Sequence, residues 1–122
     1  MKLPRLFQAS NNSGVKYEQQ ALDFLQQQGL LLVCQNFYCR FGEIDLIMSD
    51  QDTLVFIEVR YRKNQDYGGA PASVTYQKQQ KLIKTAKHYL SQLNSEPYCR
   101  FDVVAISEKT STPQWIQDAF QE

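Results

Sequence analysis

The sequence predicts an α/β domain of the α+β kind, a mixed central β-sheet flanked by helices in the order helix, three strands, helix, strand. Three observations carry this expectation. Apolar residues recur at helical spacing over about 13–28 and 76–93; three strand-like stretches lie between these segments; and a further apolar run, Arg100 to Ile106, follows the second. At 122 residues the chain is expected to form one domain over 13–122, preceded by a flexible segment at 1–12.

Each element has its own signal. The first helix is expected to start at Ser13, a residue type suited to capping, and to stop at Gly29. On its wheel Glu18 falls inside the apolar stripe, between Leu25 and Leu22, so it either snorkels from the edge of the stripe or points at something buried, the second being favoured by two other inward acids. Leu30 to Phe41 reads as a strand, followed by Gly42-Glu43-Ile44-Asp45-Leu46-Ile47 and Val55-Phe56-Ile57-Glu58-Val59-Arg60 as the two arms of a hairpin. Residues 63–75, with Gly68, Gly69 and Pro71, are expected to form a mobile loop. The helix from Tyr76 gathers Leu82, Ile83, Ala86, Tyr89, Leu90 and Leu93 on one face, with Lys78 at its border. Phe101, Val103, Val104 and Ile106 mark a buried strand, and Trp115 to Phe120 a packed tail, strand or helical turn.

The two hairpin arms carry acids where core strands should have none. Burying an unpaired carboxylate costs several kcal/mol, so a bound cation is the expected compensation. If Ser49 faces Leu54 across a four-residue loop, Asp45 falls opposite Glu58 and Glu43 opposite Arg60. Glu43 and Arg60 would then form either a cross-strand ion pair or a portion of a site, with the acids along one edge of the sheet.

Composition bounds the partners. The net charge is zero, but Arg60, Arg62, Lys63, Lys78, Lys81, Lys84 and Lys87 stand against only Asp66 between Arg60 and His88. Such a segment beside a candidate metal site suits a polyanion, with Arg62, Lys63 and Lys81 as the expected nucleic-acid contacts, while Lys84 and Lys87 read as solvated surface. Tyr61, Tyr67 and Tyr76 could be exposed around the loop, as an interface or a stacking surface. Cys34, Cys39 and Cys99 are read as reduced, buried or half-buried thiols; a zinc site with His88 has no supporting spacing. No apolar run approaches the ~20 residues of a membrane helix and no signal region opens the chain, so a cytoplasmic protein is expected.

The set Glu18, Gly42-Glu43-Ile44-Asp45, Phe56-Ile57-Glu58-Val59-Arg60, Lys78 and Arg100-Phe101-Asp102 resembles the YraN-like family of small bacterial proteins, over about Gly14 to Phe120. That family is similar to Holliday-junction resolvases of the PD-(D/E)XK nuclease superfamily. The resemblance implies a restriction-endonuclease-like core and a metal-dependent endonuclease acting on DNA, branched DNA included, as a homodimer. It implies Asp45, Glu58 and Glu18 as ligands of Mg²⁺, for which Mn²⁺ can substitute. One position departs from the pattern: Arg60 stands where the superfamily has lysine, and arginine cannot act as a base. Lys78 could supply the missing amine, no protein base need act, or the scaffold binds nucleic acid without cleaving it.

Overall fold

Alternating apolar positions fold the chain into one five-stranded mixed sheet between two helices, seen in a computed structural model that describes residues 12–62, 74–109 and 112–122. In chain order the elements are α1 (Asn12–Gln27), β1 (Leu31–Cys39), β2 (Gly42–Asp50), β3 (Thr53–Arg62), α2 (Tyr76–Leu90), β4 (Tyr98–Ser107) and β5 (Gln114–Phe120). The strands lie side by side in that order, antiparallel except for the parallel pair β3–β4. A parallel pair needs a crossover, and the segment containing α2 provides it. The expected architecture is present, with the tail as the fifth strand.

The two faces of the sheet carry separate cores. Ala21, Leu22 and Leu25 of α1 pack with Leu46, Met48, Val55, Ile57, Val104 and Ile106. Leu82, Ile83 and Ala86 of α2 pack with Ile44, Ile47, Phe56 and Val103 on the other side. β3 is therefore covered on both faces, which explains its continuous apolar run.

The ends of elements follow local chemistry. α1 begins at Asn12, one residue before the expected cap. It stops where Gly29 takes a φ of +100°, with the Leu30 N–H donating to Leu25 O. α2 is capped by Thr75, whose hydroxyl accepts from the Lys78 N–H, and stops at Leu90 rather than Leu93. There the Gln92 and Leu93 N–H groups bond back only three residues and tighten the chain into a turn. The β2–β3 loop has two residues, Gln51 and Asp52, not four, because Asp50 and Thr53 add one more pair. Adding a pair leaves the register unchanged, so Ser49 faces Leu54 as expected.

Asp102 holds β5 against the sheet. It is fully buried, and its carboxylate accepts from Arg100 Nε at 3.0 Å, Trp115 Nε1 at 2.9 Å and the Asp118 N–H at 2.9 Å. Arg100 also reaches Asp50 at 3.1 Å. The Arg100-Phe101-Asp102 motif is thus a structural lock between β2, β4 and β5.

Candidate functional site

The site lies where the sheet comes apart. The β2–β3 ladder runs from Asp50 and Thr53 to Leu46 and Ile57, and its pairing ends there. Beyond that point β3 stays with β4 and β2 stays with β1. The break is visible in the packing: Ile44 and Ile47, three residues apart, both join the α2-side core, while Leu46 and Met48 join the α1 side. Strict two-residue alternation therefore fails at Asp45. Across from it stands Asn36, at a φ of +53°, between the pairs Gln35–Leu46 and Phe37–Ile44. Asparagine tolerates this backbone region better than most residues.

Diverging strands leave backbone donors without a neighbour, and a carboxylate takes one of them. The Val59 N–H donates to Asp45 Oδ2 at 2.8 Å. Asp45 and the Glu18 carboxyl of α1 act on each other electrostatically, and the Asn36 side chain favours the charged form of Glu18. Glu58, only 8% exposed, follows the α2-facing positions Leu54 and Phe56 along β3. Its Oε2 lies 3.5 Å from Lys78 Nζ, so the lysine does reach inward from the border of its helix.

Burial and mutual repulsion load these acids. Burial first, and then the charge of Asp45, push Glu18 and Glu58 each up to about 7, with Lys78 and Arg60 holding Glu58 back. Burial also raises Asp45, with the exposed Glu43 adding to the rise and the Val59 N–H opposing it. At neutral pH the cluster consequently keeps protons that ordinary carboxyls would have lost. Among the described residues no three acids, histidines or cysteines form a group that could hold a metal ion. What fits is a smaller unit: the oxygen-only pair Glu18 and Asp45, of the kind Mg²⁺ accepts while keeping waters.

Several expectations need correction. Asp45 and Glu58 are not a directly opposed pair, because β2 and β3 separate just before that pair would form. They interact across the split between two inner strands instead of along one sheet edge. For the same reason Glu43 and Arg60 form no ion pair among the described residues, and Glu43 is exposed beside Tyr38. Tyr61 is not a free aromatic: it stacks on Tyr17, ring centroids 4.0 Å apart and planes 9° from parallel. Tyr76 is exposed as expected. Arg62 is half-buried with Nη1 on Tyr61 O at 3.4 Å, and Lys81 is exposed on α2. Lys63, Tyr67 and most of the expected 63–75 loop lie outside the described residues, as does nearly all of 1–12. All three cysteines are free; Cys34 and Cys39 are half-buried but Cys99 is exposed. Asn36 and Tyr17 were not marked by the sequence; an asparagine amid strand-forming residues was the one available signal.

No helix among the described residues is long and apolar enough to cross a membrane. A model of the uncharacterised protein family UPF0102 matches residues 17–106. A UPF0102 protein from Psychromonas ingrahamii is 70% identical over the full length of both chains. Another from Nitrosomonas eutropha is 54% identical over 93% of this chain and 97% of its own. One from Legionella pneumophila is 49% identical over 84% of this chain and 89% of its own.

Proposed function

This chain belongs to the UPF0102 family, the YraN-like group to which its motifs pointed, and we propose that it is a metal-dependent endonuclease hydrolysing DNA phosphodiesters, branched structures included. One observation supports the reading: at the split in the sheet Asp45 bears electrostatically on both Glu18 and Glu58, burial raises all three carboxyls above their ordinary pKa, and Lys78 lies 3.5 Å from Glu58. A divalent cation bound at Glu18 and Asp45 would supply Lewis acidity toward the scissile phosphate and its attacking water. The chain's own groups do the rest. Glu18, which burial and the charge of Asp45 push up to about 7, would have to lose its proton for both carboxylates to hold that ion. The Val59 N–H fixes Asp45 in place. Lys78 sits against Glu58 as the one amine at the site among the described residues, the role that Arg60 cannot fill. A homodimer would match the two symmetric cuts that a four-way junction needs.

The test is Mn²⁺ and Mg²⁺ calorimetry to millimolar metal, followed by cleavage of junction and duplex DNA. Metal binding and cleavage that both vanish in Asp45→Asn, with the fold kept, are the expected results. Cleavage retained in both Asp45→Asn and Glu58→Gln would sink the proposal. A second reading, a nucleic-acid-binding or adaptor scaffold without catalysis, draws on the lack of a three-acid group among the described residues. It expects salt-sensitive DNA binding that weakens in Lys81→Ala, with phosphodiesters left intact.

A further inference from the structure

The tip of the β1–β2 hairpin carries an aromatic side chain that the core does not use. Phe37 and Tyr89, close by, pack against the α2-side core, but Phe41 does not belong to that cluster. It is half-exposed and held between two cationic or ring-bearing partners. The Arg40 guanidinium lies 4.8 Å from its centroid, and the His88 ring meets it edge-on at 6.0 Å. A large apolar ring kept at the surface between a guanidinium and an imidazole contributes little to the core. The guanidinium stands over one face of the half-exposed ring, so cation and π-system together offer a surface on which a further flat group can stack.

This platform is joined to the acidic split by one stripe of α2. Lys78, Lys81, Thr85 and His88 follow each other at three- and four-residue steps and so share a helix face; Thr85 is buried under the hairpin with its hydroxyl donating to Lys81 O, so a strand would pass over it by way of Lys81. Lys78 stands at Glu58; Thr85 packs so near Gly42 that a Cβ there would come within 3.2 Å of its hydroxyl; His88 stands at Phe41. From Lys78 to His88 the helix rises about 15 Å, the span of some four phosphates of a stacked strand. Lys81 is exposed between the two ends, and Lys84 is exposed one turn further along the helix. The acids near the tip are turned elsewhere: Glu43 pairs with Tyr38, whereas Phe37 and Ile44 are the residues that join the α2-side core.

We propose that Arg40, Phe41 and His88 form a stacking platform for an unpaired base of a single-stranded nucleic-acid segment, whose phosphates run along Lys81 toward the acidic split. The proposal rests on the nuclease-site reading for the direction of the track but not for binding itself. Base–aromatic stacking is sequence-tolerant, so the platform selects for unpaired nucleotides and not for a particular base.

The test uses the full chain in EDTA, so that no cleavage intervenes, with fluorescence anisotropy on three labelled probes: a thymidine 12-mer, an abasic 12-mer with the same phosphates, and a blunt duplex. The wild type is expected to prefer the thymidine strand over the abasic one by tenfold or more, and Phe41→Leu to erase that preference with little change in melting temperature. Lys81→Ala should weaken both single strands about equally and reduce the salt dependence. Phe41→Ala serves as the second variant if the leucine disturbs folding. A preference for thymidine over abasic strand unchanged in both Phe41 variants would overturn the platform, as would no binding of any probe. Metal-dependent cleavage with an unchanged preference discards the platform and keeps the nuclease; a Phe41-dependent preference without cleavage does the reverse.

Discussion

Glu58 and Asp102 are both buried acids on neighbouring strands, and their surroundings give them opposite tasks. Asp102 is matched donor by donor, with Arg100, Trp115 and the Asp118 N–H on its two oxygens. Removing it would strand the half-buried Arg100, so Asp102→Ala is expected to cost about 3–5 kcal/mol of stability, read from urea midpoints. Glu58 has one lysine at 3.5 Å and a neighbouring acid that works against it. Its folded pKa, about 7, lies above the ordinary 4.5, so the folded protein holds a proton that the unfolded chain releases between those values. Stability of the metal-free protein should therefore fall as pH rises from about 4.5 to 7 and level off above. For Glu58 the loss is on the order of 3 kcal/mol, and Glu58→Gln should remove that share. A urea midpoint independent of pH from 5 to 8 in the wild type would contradict the assignment.

At the level of elements, the β1–β2 hairpin is pinned at Gly42. Its φ of +150° is one that L side chains rarely adopt, and a Cβ there would come 3.2 Å from Thr85 Oγ1, so the buried threonine would have to give way. Gly42→Ala is expected to destabilise by roughly 1–3 kcal/mol, seen as a lower melting temperature. This hairpin and the next also show how far the sequence could be read. The β2–β3 register was legible, because polar loop residues and apolar arms allow one solution in which Ile47 meets Phe56. The end of that ladder was not, since nothing in Gly42-Glu43-Ile44-Asp45 announces that the alternation breaks at Asp45. The acids were found by their type, and their arrangement across two faces required the backbone. Lys78 was found from its place on the helix border. Asn36 was missed because its role depends on a single φ angle, and Phe41 because a phenylalanine in a strand-like run reads as core.

Across the whole molecule, the sheet ends on one side in β1, where Leu31 is 69% exposed and Leu32 and Val33 are exposed as well. An exposed apolar stretch on an edge strand, here Leu31 to Val33, invites strand-to-strand association. Leu31→Lys is expected to leave the melting temperature nearly unchanged while lowering light scattering in concentrated solution, and equal scattering from both proteins would count against it. The interior has a different consequence. The two cores share no helix: α1 covers one face of the sheet and α2 the other. Glu18 comes from the first layer, Lys78 from the second, and Asp45 and Glu58 from the strands between them. Whatever neutralises this cluster therefore bears on both layers at once. Hydrogen-exchange protection of amides in α1 and α2, taken relative to the intrinsic rate at each pH, should rise together when the pH drops below 7, as a pair of clasps closed by one pin.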